Sequence, residues 1–157
     1  MIFCLSIIAY AQTPQDRATE LKKQAQSSLN QKDYIKARYL FKKAYEAFAS
    51  RENYPQAIEC GVQANALYVR ENFYKEGFEL CRDMEQLLWT GEQNKKKVFY
   101  DLRFLINKER LQMYTALKNP AQAKTQLDKL EEMANLAKND SLTEVLLYTK
   151  ANYYYTF

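Results

Sequence analysis

No histidine occurs anywhere in the chain. That one absence removes imidazole acid–base catalysis, His-containing triads and His-ligated metal sites. Glycine and proline are scarce, three of each in 157 residues. A β-sandwich or barrel of this length needs many turns and more of both residues, so the composition leans to helices joined by short loops. There is no Gly-rich phosphate loop, Cys-x-x-Cys pair, Gly-x-Ser-x-Gly elbow or Asp-rich calcium loop. Paired carboxylates are also few. Glu131 and Glu132 are adjacent on a helix and diverge. Asp101 and Glu109 lie two turns apart on a stripe that reads as exposed, with Lys108 and Arg110 beside Glu109. The expectation is a protein that is not an enzyme, with no catalytic residues, no metal and no cofactor.

Charge excludes less. There are 23 basic and 19 acidic residues, a net charge of +4. The longest basic run, Lys95-Lys96-Lys97, falls where a new helix is expected to begin and reads as a solvated helix start. The chain shows no basic face with base-stacking elements, so no nucleic acid is expected to bind this segment.

What is present is a repeat. Tyr34, Tyr54 and Tyr74 are spaced by twenty, and each is followed three residues later by a small residue: Ala37, Ala57, Gly77. The same frame carries Phe41, Gly61 and Cys81, then Ala44, Ala64 and Met84, then Phe48, Tyr68 and Leu88. Self-similarity at a fixed period marks stacked units. Small residues let a neighbouring helix approach, and large ones fill the grooves between.

Seven helices follow from the caps and the apolar spacing. The first opens at Thr13-Pro14 and carries Leu21, Ala25 and Leu29. The second runs from Asp33 to Ser50, the third starts at Asn53 with Pro55 just inside, and the fourth starts near Phe73 and is expected to stop at Gly91. There the register changes. A longer helix over 94–118 carries Val98, Leu102, Leu105, Ile106, Met113 and Leu117. Asn119-Pro120 caps the sixth, with Ala123, Leu127, Leu130, Met133 and Leu136. Ser141-Leu142-Thr143-Glu144 reads as a capping box for the seventh, with Val145, Leu147, Tyr148 and Ala151 inward.

The N-terminal run Met1–Ala11 is uncharged and apolar and ends in Ala9-Tyr10-Ala11, an A-x-A cleavage pattern. It is too short to span a bilayer. The expectation is a signal peptide over 1–11, a helical domain over 12–157 that continues beyond the given chain, and an exported, periplasmic or extracytoplasmic location. Membrane attachment would then come only through a segment not present here. Cys60 stands one residue off the row that Cys81 occupies, so two buried or half-buried free thiols are expected rather than a disulfide. The 13 tyrosines are numerous. Tyr34, Tyr54 and Tyr74 read as packing residues whose hydroxyls reach the surface. Tyr153, Tyr154, Tyr155 and Phe157 lack an obvious partner, which leaves a homodimer through that end open.

Ala37, Phe41 and Ala44, preceded by Asp33-Tyr34, resemble the second helix of a tetratricopeptide repeat. Leu21 and Ala25 fall at that family's first-helix positions, and Ala123, Leu127 and Leu130 match its second helix more loosely. A helix pair here takes about forty residues rather than the family's 34, near the longer helical-repeat families. An exported helical array of this kind is also similar to sensor regions of Bacteroidetes-type signalling proteins. The resemblance implies a right-handed all-α solenoid of about seven antiparallel helices that binds a protein or peptide. It implies a groove on the first helix of each pair, taken as 17–31, 54–70 and 94–118. The matching positions are Lys22, Gln26 and Asn30, then Gln63 and Arg70, then Lys108 and Gln112, a polar and mildly basic set suited to an extended peptide with acidic groups.

Overall fold

The computed structural model describes residues 14–157. The expected signal peptide and the Thr13 cap lie outside the described residues. Seven helices make up the rest: α1 (Pro14–Asn30), α2 (Tyr34–Ala49), α3 (Tyr54–Arg70), α4 (Tyr74–Lys95), α5 (Tyr100–Ala116), α6 (Pro120–Ala137) and α7 (Asp140–Thr156). No strand occurs among the described residues, and no described helix is long and apolar enough to cross a membrane.

The repeated tyrosines Tyr34, Tyr54 and Tyr74 are the first residues of α2, α3 and α4. Each helix before them ends in the same way. Lys32, Glu52 and Asn72, again twenty apart, adopt left-handed backbone with φ of 62°, 55° and 61°. The next amide in each case reaches back five residues: Asp33 N to Ser28 O, Asn53 N to Phe48 O, Phe73 N to Tyr68 O. This is a Schellman ending, and its last residue is already the N-cap of the following helix. Asp33 and Asn53 then accept hydrogen bonds from Lys36 N and Gln56 N. The turn therefore takes three or four residues and reverses the chain with its backbone groups paired.

The spacing of twenty is interrupted and then resumes. α5, α6 and α7 begin at Tyr100, Pro120 and Asp140. Lys118 and Lys138 repeat the left-handed turn, and Asn119 repeats the cap. The shift comes from α4, which continues through Gly91 to Lys95 instead of stopping at the glycine. Gly91 is a packing residue inside the helix. Lys96, at φ 50°, ends it. Lys95-Lys96-Lys97 thus closes a helix rather than opening one, which suits cations at the negative end of the dipole. The side chain of Glu92 holds the connection, accepting from Phe99 N at 2.9 Å and from Arg103 Nε at 2.8 Å.

Consecutive helices pack against each other, and α3 also packs on α5 and α5 on α7. Lys22 of α1 reaches Gln56 and Glu59 of α3. The odd-numbered helices therefore form one layer, with α2, α4 and α6 beside it. The small residues Ala37, Ala57 and Gly77 are buried as the frame predicts. So are Phe41, Ala44 and Phe48, and in α6 the equivalent Ala123, Leu127, Leu130 and Ala134.

Inward faces differ from expectation in the later helices. α5 has two: Ile106 and Met113 join the core of α1–α4, while Phe104 and Leu111 join that of α6 and α7. A helix between two cores needs apolar residues on both sides, which blurs its single stripe. Val98 lies before α5 and is exposed, as is Leu117 past its end. Leu136 is exposed, and Ala134 packs in its place. α7 begins at Asp140 with Asn139 as its cap, so the expected box at Ser141 falls inside the helix. Its buried residues are Leu142, Leu146 and Tyr153, with Val145 packed beside them, while Leu147, Tyr148 and Ala151 face out.

Candidate functional site

The odd-helix layer contains a cavity of about 380 Å³ between α3, α5 and α7. Its apolar lining is Val69, Leu111, Ala116 and Tyr153, and its polar lining is Lys108, Gln112, Thr115, Thr149, Asn152 and the phenol of Tyr148. The hydroxyls of Thr115 and Thr149 donate back to Leu111 O and Val145 O in their own helices, leaving each oxygen free to accept. Tyr148 is 77% exposed at the rim. An apolar floor with a few convergent polar groups is the usual construction of a binding pocket.

Of the residues assigned to a groove by resemblance, the structure brings two together here, Lys108 and Gln112. The others are placed elsewhere on the array. Lys22 is half-buried, donates to Gln56 at 2.9 Å and stands 2.7 Å from a carboxylate oxygen of Glu59. Gln26 donates to Asn30 along α1, both exposed. Gln63 is exposed on α3. The guanidinium of Arg70 lies 4.1 Å from the ring centroid of Tyr34, against α2. A basic groove spread over three helices thus reduces to one uncommitted cation: Lys22 is neutralised, Arg70 is stacked, and Lys108 has no ion-pair partner among the described residues.

α7 contributes Tyr148, Thr149, Asn152 and Tyr153, none of them assigned to the groove from the sequence. The signal was available, since α7 is the fourth of the alternating helices. Tyr39 stands in a second depression, on α2, with Ile35, Lys42 and Tyr68. Tyr114 packs against Phe78, their centroids 4.8 Å apart. Tyr54 is buried, a departure from the expectation that its hydroxyl reaches the surface. Its partner Tyr74 does reach out and donates to Asn72.

Two of the helices that line the cavity, α3 and α5, are also joined by a buried polar pair that the sequence analysis misplaced. Glu109 is 2% exposed, not on a solvated stripe. It sits three residues after Ile106 and four before Met113, so it shares their buried face. Asn65 of α3, fully buried, donates to Glu109 Oε2 at 3.1 Å. Burial pushes the Glu109 carboxyl above its ordinary 4.5, and the Asn65 hydrogen bond and Lys108 offset this in part.

Cys60 and Cys81 are both buried and unbridged. Burial pushes each thiol up to about 12, so both stay protonated. Among the described residues no group of three or more metal-ligating side chains is assembled. No protein-family model matches the chain, and neither a curated protein nor a solved structure matches it.

Proposed function

We propose that the chain is a non-catalytic protein- or peptide-binding module of tetratricopeptide-like, right-handed design, whose partner lies along the odd-helix layer. The observation that carries this reading is the cavity between α3, α5 and α7, with Lys108 its one charged residue and no acid in its lining. A single free ammonium beside an apolar floor suits a segment with an acidic group next to an apolar side chain. The sequence features at Met1–Ala11 support export, and so the sensing or scaffold part of a longer signalling protein.

The test is selection of peptides from a random display library on the purified chain, followed by calorimetry. Lys108→Ala is expected to weaken the selected acidic peptides about three- to fivefold, the scale of a half-exposed charge pair. Arg70→Ala, whose guanidinium rests on Tyr34, is expected to matter less. Unchanged binding by Lys108→Ala would sink the assignment of the cavity.

A second reading, a self-associating assembly protein, is favoured by one observation. α7 carries a charge-free outward stripe of Leu147, Tyr148, Ala151, Tyr154 and Tyr155, with Tyr155 93% exposed. Tyr153 itself is turned inward and would take no part. Sedimentation of the chain and of Tyr155→Glu separates the readings: a dimer that the glutamate dissociates supports self-association, and a monomer at every concentration removes it.

A further inference from the structure

The Asn65–Glu109 pair is chemically incomplete as a carboxylate and complete as an acid. Asn65 uses its N–H to donate to Glu109, while its own Oδ1, fully buried, has no partner. The wall in front of that oxygen is Gly77 of α4, where a Cβ would stand only 3.1 Å away. Among the described residues, the one side-chain hydrogen bond that the amide makes is to Glu109.

Among the described residues the one cation acting on Glu109 is its half-exposed neighbour Lys108, which offsets the burial only in part. Arg110, its neighbour on α5, gives both terminal nitrogens to Glu85 of α4. Arg103, also on α5, is taken by Glu92. From α4 comes the thiol of Cys81, neutral in its buried setting. α3 presents Asn65, which is uncharged. On α6 and α7, Glu131 and Lys150 pair with each other, as do Lys124 and Asp128 within α6. Lys108 is left, and it stands at the cavity.

We propose that Asn65 and Glu109 form a proton-operated latch between α3 and α5, closed when Glu109 is neutral, that regulates the cavity those helices line. In the closed form the Glu109 O–H donates to Asn65 Oδ1 while the Asn65 N–H donates to the other carboxyl oxygen. Both groups are then satisfied by one side-by-side pair. On opening, the proton passes to water. The carboxylate can only accept, the amide oxygen is orphaned again, and a buried anion is left with only the partial offset of Lys108. The uncommitted cation is Lys108, so relief of the buried charge draws α5 at the cavity's edge. The latch deepens the reading of the cavity as a binding site, yet its test needs no partner.

The test follows the Glu109 side-chain carboxyl carbon by NMR in the full chain across pH, together with the backbone amides of Val69, Leu111, Gln112 and Thr115. The carboxyl is expected to titrate above 4.5, and the four amides to shift with the same midpoint. Glu109→Gln, a neutral isostere able to donate to Asn65 Oδ1, is expected to hold those amides at their acid-form positions at every pH. A carboxyl midpoint at or below 4.5, amides that ignore pH, or amides that still titrate in Glu109→Gln would each overturn the latch. Should the variant fold poorly, the wild-type titration decides alone. Loss of peptide binding in Lys108→Ala bears on the function of the cavity. These midpoints bear on the latch.

Discussion

Gly91 of α4 lies against the ring of Tyr54, the first residue of α3. A Cβ at Gly91 would stand 2.5 Å from Tyr54 Cζ and 2.8 Å from both Cε atoms. The ring has little room to retreat. It is buried, it packs on Phe99 with centroids 5.6 Å apart, and Lys95 Nζ stands 4.9 Å from its centroid on the next turn of α4. In an exposed helix interior Gly→Ala gains about 1 kcal/mol. Here Gly91→Ala is expected to cost about 1–3 kcal/mol, the scale of overpacking a filled core. The double variant with Tyr54→Leu should recover part of it. Urea denaturation of the three proteins checks this, and a stabilised Gly91→Ala would show that the ring yields.

The connection between α4 and α5 depends on Glu92. Its side chain, buried among Phe99 N and the Arg103 guanidinium, is held below the usual carboxylate value chiefly by the Arg103 hydrogen bond. A depressed carboxyl contributes stability above its unfolded value of 4.5 and loses it as pH falls through the folded one. Glu92→Gln is therefore expected to destabilise at neutral pH by about 1–3 kcal/mol, discounted because Arg103 is about a third exposed. The gap to wild type should close in acid. Denaturation midpoints at several pH values measure it.

Glu109 runs in the opposite direction. Its carboxyl is raised by burial, so its contribution is intact below 4.5 and declines as pH rises through the folded value. Relative to Glu109→Gln, wild-type stability should fall with rising pH over that window. The same denaturation series carries both signs. A parallel response of Glu92→Gln and Glu109→Gln would refute one assignment.

The two core thiols should be inert in the native chain. With Cys4 replaced by serine, a coloured disulfide reagent at pH 8 is expected to react with Cys60 and Cys81 only as the protein opens, and at full rate in denaturant. Rapid native reaction of either would mean that it is reached from solvent.

The turns offer a stabilising change. Lys118 holds a left-handed backbone at φ 53° without being glycine. That conformation costs a side-chain-bearing residue about 1–2 kcal/mol, more than the extra unfolded-state entropy of glycine. Lys118→Gly is expected to raise stability by about 0.5–1 kcal/mol, measured as a shift in the urea midpoint. A drop would mean that the lysine side chain makes a contact worth more than the strain.

Much of the array was legible along the chain. Asp33, Asn53 and Asn119 cap helices because a short oxygen-bearing side chain one turn ahead can accept the free amides, and that is a local matter. The period of twenty held within α1–α4 and again within α5–α7 for the same reason, since each unit is one helix and one short turn. Gly91 was misread because the local rule for glycine is an ending, and the chain used it for clearance. Of the cavity's lining only Lys108 and Gln112 were assigned to a groove beforehand, and they came from the resemblance to a tetratricopeptide repeat. The partners of Lys22 and Arg70 were not legible, because Glu59 and Tyr34 are 37 and 36 residues away from them in the chain.

By itself, then, the sequence determined that the array is all-α with seven helices, the caps at Asp33, Asn53 and Asn119, and which small residues recur at the seams. Those are set by interactions within about one turn of each residue. Only the tertiary structure decided which face of a helix is buried when it has neighbours on two sides. α5 takes Ile106 and Met113 to one core and Phe104 and Leu111 to the other. Glu109, read as solvated from its charge, lies on the first of those faces. Burial there comes from α3 and α4, 44 residues before it at Asn65 and 28 at Cys81, and no local pattern encodes that distance.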